Sequence, residues 1–188
     1  MSDPEVPLQI ERRSTPNFDR GRNGHSPCAI VLHTNVGTFA GTVAWFARHE
    51  SGVSAHYLVG LDGRVARFVG ESDTARHAGR VLRPTAALVR GDRASPNLYT
   101  IGIEFEDGGD PLGVGRTDEQ YRAGALLIGR VAARWQIPLN RTHVIGHHEI
   151  FAAKDCPGNL DIERLIDEAR RVRRPRESGA EHEWESKP

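Results

Sequence analysis

Ala29-Ile-Val-Leu-His33 is a short apolar run rich in β-branched residues, which reads as a buried strand with a histidine at its C-terminal end. The segments on either side set its context. Downstream, Phe39, Val43, Phe46 and Ala47 recur at helical spacing from Thr38 to about His49, with Thr38 as the N-cap. His56–Gly60 and Arg64–Val69 are strand-like and joined by Leu61-Asp-Gly63, a hairpin signal. Leu98–Phe105 is a further strand whose alternation puts Ile101, Ile103 and Phe105 on one face and Gly102 and Glu104 on the other. Thr117-Asp-Glu-Gln120 is a capping box that opens a helix running to about Gln136. Thr142–Ile145 is a short strand leading to Gly146-His147-His148, and a last helix from Asp161 carries Ile162, Leu165, Ile166 and Ala169 on one face. Strands and helices that do not alternate regularly predict an α/β or α+β domain with one mixed sheet.

The flanks and one internal stretch lack this patterning. Residues 1–26 read as an N-terminal arm, 27–172 as the folded domain, and 173–188 as a polar, disordered tail. Residues 70–97 have little periodicity and read as a long surface loop. The 188 residues suffice for one core without disulfides. Twenty-five basic residues balance 25 acidic ones, which argues against a partner bound through a general basic field, nucleic acid above all. No apolar run is long enough to span a bilayer, so no membrane partner is expected. The first residues show neither the basic region nor the apolar core of a signal peptide, which predicts a chain that is cytoplasmic on synthesis and reaches any extracytoplasmic target through a partner or a secretion system. Cys28 and Cys156 could form at most one disulfide, and Cys28, at the head of an apolar run, reads as a small buried hydrophobe.

Three residues are candidate metal ligands. His33 and His147 each end a short apolar strand, and Cys156 sits in the turn Lys154-Asp-Cys-Pro-Gly158. Two imidazoles and a thiolate suit zinc, and three protein ligands leave a fourth position open, the pattern of a catalytic site. The bland reading is that each histidine is a hydrogen-bonded structural residue. His148 is an alternative to His147, since one step along a strand reverses the face. Lys154 adds weight: the chain has two lysines, Lys154 and Lys187, and every other basic residue is arginine. Arginine's wide fork and lysine's compact ammonium are not interchangeable at a crowded site. Glu104 is a candidate general base within an apolar strand, or else a solvent-facing residue of a half-exposed one. Tyr57 is either a packed aromatic or a hydrogen-bond donor facing the site.

The pieces Ile30-Val-Leu-His33-Thr34, Ser54-Ala-His-Tyr57-Leu-Val-Gly-Leu-Asp-Gly63, His77-Ala-Gly79, Thr100-Ile-Gly-Ile-Glu104, Gly146-His147 and Lys154-Asp-Cys-Pro-Gly158 occur in that order. Together they resemble the zinc-dependent N-acetylmuramoyl-L-alanine amidases of the second type, which include phage lysozyme-type amidases and peptidoglycan recognition proteins. The resemblance spans roughly residues 27 to 170. It implies a single α/β domain with a central mixed β-sheet flanked by helices, and one zinc ion per chain in a groove on one face of that sheet, held by His33, His147 and Cys156. It further implies that Lys154 stabilises negative charge, that Glu104 or Tyr57 activates water, and that His77 lines the substrate groove. The implied substrate is peptidoglycan or a muropeptide, cut between N-acetylmuramic acid and L-alanine, by a monomer acting as an endolysin, a recycling enzyme or a delivered effector. The alternative is a peptidoglycan-binding module of the same fold that does not cut.

Overall fold

The side chains that the strand alternation sorts to opposite faces meet different partners, and this sorting positions the site. The computed structural model describes residues 8–91, 94–109 and 115–173. In chain order they form β1 (Ile10–Arg12), β2 (Phe18–Asp19), β3 (Ala29–Thr34), α1 (Phe39–Phe46), β4 (Tyr57–Val59), β5 (Val65–Arg67) and β6 (Thr74–Ala75). There follow α2 (Ala87–Arg90), α3 (Pro96–Tyr99), β7 (Thr100–Phe105), α4 (Asp118–Trp135), β8 (Val144–Gly146) and α5 (Ile162–Arg173), with 3-10 turns at His49–Ser51 and His147–Glu149. Six strands make one sheet in the order β1-β5-β4-β7-β3-β8, while β2 and β6 pair separately. Only β4 and β5 are antiparallel within the sheet, so it is mixed, as the irregular alternation of elements predicts.

One face of the sheet carries the larger core. Ile30, Leu32, Ile101, Ile103 and Phe105 pack against Leu127, Ile128 and Val131 of α4 and Leu165 and Ile166 of α5. The helical stripe foreseen in the last helix is buried at all four positions, Ile162, Leu165, Ile166 and Ala169. On the opposite face, Leu58 and Ala66 pack with Phe39 and Phe46 of α1, and Val31 packs with Ile145 and Ile150. Between these two smaller clusters, the C-terminal ends of β3 and β7 bring out polar side chains. Parallel strands deliver such ends to one edge of the sheet, where α/β sites form.

Local chemistry sets the boundaries. The Thr38 hydroxyl accepts the Gly41 N–H at the start of α1, and the Thr117 hydroxyl accepts the Gln120 N–H at the start of α4. The second half of the α4 capping box does not form. Gln120 instead donates its amide to the carbonyls of Val59 and Glu106, anchoring the helix to the sheet. The hairpin falls where Asp62-Gly63 places it, with Val59 opposite Val65.

Three expectations need correction. Residues 10–12, read as part of an arm, pair in parallel with β5, and Arg22 is buried, donating to the carbonyls of Glu71, Asn97, Leu98 and Thr100. The 70–97 stretch is not a loop confined to the surface: it holds β6, α2 and the start of α3, and it buries Glu71, Thr74, His77, Ala78 and Val89. Elements of two to four residues are too short to show a period. Cys28 is exposed, because the buried alternation starts at Ala29, and no disulfide joins it to Cys156. Residues 174–188 of the expected tail lie outside the described residues. Among the described residues, no helix is long and apolar enough to cross a membrane.

Candidate metal and catalytic site

His33, the next-to-last residue of β3, is 2 % exposed, and His147 follows directly on β8, the neighbouring parallel strand. Adjacent strands place their rings against each other, 4.6 Å between centroids. Cys156 reaches them from the turn that follows. There Lys154 N–H donates to Phe151, Gly158 N–H donates to Asp155, and His148 N–H donates to the Cys156 carbonyl. Gly158 has φ of 64°, a left-handed conformation that suits glycine. One donor atom from each of His33, His147 and Cys156 lies within 4.8 Å of the others. Among the described residues this is the group of three or more His, Cys, Asp and Glu donors that could hold a metal ion. His148 stays outside it, exposed and turned to the Cys156 carbonyl.

The donor set fits zinc. His33 Nδ1 lies 3.7 Å from Cys156 Sγ. A tetrahedral ion with Zn–S near 2.3 Å and Zn–N near 2.0–2.1 Å sets such atoms roughly 3.6 Å apart. Each ring uses its other nitrogen elsewhere: His33 Nε2 lies 3.0 Å from His77 Nδ1, and His147 Nε2 lies 3.1 Å from the Ala78 carbonyl. Metal-ligating histidines hold their second nitrogen in this way. Burial keeps both rings neutral, His33 well below its ordinary pKa, and the Lys154 charge pushes the same way. Burial and the nearby Glu104 carboxyl push the Cys156 thiol up to about 12, opposed by a Thr34 N–H at 3.2 Å and by Lys154 and Arg116. A thiolate is therefore costly here unless a cation accompanies it.

Glu104 lies beside His33 in register across β3 and β7. It is not the solvent-facing residue of a half-exposed strand: its Oε2 is sealed from solvent with no hydrogen-bond partner. Burial, and secondarily Asp107, raise its pKa to about 8. The carboxyl opens on a cavity of about 490 Å³ lined by Thr34, Asn35, Val36, Thr42 and Trp45. Lys154 is exposed, near enough to act electrostatically on His33, His147 and Cys156.

Two residues proposed for the site from sequence belong elsewhere. Tyr57 pairs with Ile103 in register and shares its face, so it packs in the core under α4 and α5, across the sheet from the donors. Its hydroxyl donates to Glu71 Oε1 at 2.5 Å, and Glu71 also binds Trp135 Nε1 and Arg134. His77 does not line the groove. Its ring is buried behind His33, over Gly102. Two residues escaped the sequence reading. Arg116 bridges Thr34 Oγ1, Asn159 Oδ1 and the carbonyls of Glu106 and Pro157, tying the end of β3 to the Cys156 turn. Asp107 accepts from the Thr34 hydroxyl and from the N–H groups of Val36, Gly37 and Gly109. Neither has a periodic or motif signal, because each works through loop backbone.

A His/His/Cys group, with both histidines buried and an unpartnered carboxyl beside it at one sheet edge, has the donor chemistry of a metal-dependent hydrolase. Residues 23–159 match the family described as N-acetylmuramoyl-L-alanine amidase, and the chain belongs to that family. N-acetylmuramoyl-L-alanine amidase A of Achromobacter lyticus is 34% identical over 94 residues, which are 50% of this chain and 44% of that protein. The chain thus aligns with less than half the length of that relative. Among solved structures, an AmpD derivative superposes with a TM-score of 0.69 at 23% identity, covering 87% of this chain and 95% of its own. A mutant endolysin from Bacillus subtilis gives 0.64 at 20% identity, over 86% and 99%. The amidase AmiD from E. coli gives 0.61 at 25% identity, over 76% and 57%, in a complex with its substrate anhydro-N-acetylmuramic acid-L-Ala-D-gamma-Glu-L-Lys.

Proposed function

We propose that this protein hydrolyses the amide between the lactyl carbonyl of N-acetylmuramic acid and L-alanine in peptidoglycan or muropeptides, with one zinc ion held by His33, His147 and Cys156. The observation that carries the reading is the meeting of those three donors beside the unpartnered Glu104 carboxyl in a chain of the amidase family. The AmiD complex supports the substrate class, since its ligand contains the same amide. Zinc, when bound, supplies Lewis-acid polarisation of the scissile carbonyl and a lowered pKa for water. The Glu104 carboxylate takes a proton from the attacking water and returns it to the departing L-alanine nitrogen. A carboxyl whose proton affinity is raised by burial is matched to both halves of that exchange near neutral pH. The exposed Lys154 ammonium, close enough to act on all three donors, stabilises the charge that develops on the carbonyl oxygen. Arg116 and Asp107 keep the end of β3 and the Cys156 turn in one arrangement. The chain is proposed to be made in the cytoplasm and to meet the wall through a partner or secretion system.

Mass spectrometry of a muramyl-peptide digest, with added zinc and again with a chelator, tests the reading. Intact stem peptide with a free L-alanine amine, lost on chelation, is the expected product. Cleavage that survives removal of the metal sinks the metal assignment, and folded, zinc-loaded protein that cuts nothing points to a binding module. Lys154→Ala is expected to keep zinc at wild-type content and to lower kcat by about 10²–10³, the range for one preorganised charge-stabilising group. Wild-type kcat in that variant removes Lys154 from the mechanism.

A further inference from the structure

We infer that His77 and Ala78 form a two-residue clip that sets the tautomers of both histidine ligands, with His77 as a positioning residue for His33. The inference rests on the metal assignment above and concerns residues outside the donor set. Its logic starts at a backbone carbonyl. Pro96 C=O can only accept, so the Thr100 hydroxyl, 2.6 Å away, must donate to it. Thr100 Oγ1 then has only lone pairs to offer His77 Nε2 at 3.3 Å, which puts the His77 ring proton on Nε2. A neutral ring protonated there has a bare Nδ1. Facing that bare nitrogen at 3.0 Å is His33 Nε2, which must therefore carry the His33 proton. His33 is left with a bare Nδ1, the atom turned toward Cys156 Sγ. The next residue does the same for the other ligand: the Ala78 carbonyl accepts His147 Nε2–H and leaves the His147 Nδ1 lone pair free.

The clip is itself held. Asn97 Oδ1 accepts both the His77 N–H at 3.1 Å and the Ala78 N–H at 2.8 Å. Gly102 explains how the His77 ring fits against β7. A Cβ at that position would lie 2.4 Å from His77 Cγ, so any side chain would displace the ring. Burial of His33 and His77 opposes a second proton on either ring, in keeping with the one-proton count at each.

The test uses zinc itself, measured by competition with a chromogenic chelator. Wild type is compared with His77→Leu, His77→Asn and Gly102→Ala. Leucine fills space without accepting, whereas the Asn amide oxygen can stand where His77 Nδ1 stands. His77→Leu is expected to weaken zinc binding about 10–100-fold, the usual cost of losing such a support. His77→Asn should recover most of that loss, and Gly102→Ala should weaken binding although it touches no ligand. Zinc affinity unchanged in His77→Leu overturns the clip while leaving the metal assignment intact. Failure of wild type to take up zinc overturns both. Should His77→Leu not fold, nitrogen-15 NMR of the wild-type rings decides: a through-hydrogen-bond coupling between His33 Nε2 and His77 Nδ1 supports the order of protons, and a His77 ring protonated on Nδ1 overturns it.

Discussion

Cys156→Ala is expected to abolish zinc retention and muropeptide cleavage together. The thiol comes from a turn ten residues beyond the end of β8, and it closes the group against His33 Nδ1 at 3.7 Å. Two imidazoles from neighbouring strands remain in the variant, a pair that lacks both the third ligand and the negative charge that partly neutralises the ion. The metal-free fold should hardly change, because alanine removes a buried thiol that makes a single backbone contact, with Thr34 N–H. This separates a ligand from a scaffold residue. Zinc that binds the folded state alone stabilises it by about 4 kcal/mol at a free concentration of 1,000 Kd. Wild type should show that rise in unfolding free energy on adding zinc, and Cys156→Ala should not. Metal content after gel filtration reads the same event directly. Full zinc with no cleavage would make Cys156 a reacting group instead of a ligand, and full zinc with full cleavage would remove it from the site.

The strands of the site were legible where a long alternation existed. His33 at the end of Ala29–His33 and Glu104 opposite Ile103 follow from parity along six-residue strands, and both are found where parity puts them. Their partners are a different matter. His33 and Cys156 are 123 residues apart, and no local rule brings them together. What linked them was the order of six short pieces along the chain, a resemblance and not a spacing. Tyr57 shows the limit of parity within one strand: alternation separates Tyr57 and Val59 from Leu58, but only the pairing of β4 with β7 says which set faces α4. The clip at His77-Ala78 was invisible for another reason. It lies in a stretch whose elements are two to four residues long, and its hydrogen bonds run to positions 19 to 69 residues away. Arg22 and Arg116 likewise each donate to more than one backbone carbonyl, contacts that leave no mark in sequence.

Glu104→Gln is expected to lower kcat by about 10²–10⁴, the contribution of a positioned proton-transfer group, with zinc content unchanged. Glutamine keeps the shape and can still donate, but it cannot take a proton from water, so KM should move far less than kcat. Tyr57→Phe is the contrast. Its hydroxyl bonds Glu71 on the opposite face of the sheet, so its loss should cost about 1–2 kcal/mol of stability and leave kcat near wild type. A dead Tyr57→Phe beside an active Glu104→Gln would reverse the assignment. Stability of the metal-free proteins supplies a second readout with a definite sign. The Glu104 pKa rises from 4.5 to about 8 on folding, so between those values the folded state holds a proton that the unfolded state releases. Stability from this group is present below pH 4.5, falls by at most about 1.4 kcal/mol per pH unit through the window, and is lost above pH 8. Glu104→Gln has no such proton. The variant should gain stability over wild type as pH rises from 5 to 8, while its catalysis falls. A stability difference that stays flat across that window would mean the carboxyl is ionised and solvated in the fold, and the proton-transfer role would lose its physical basis.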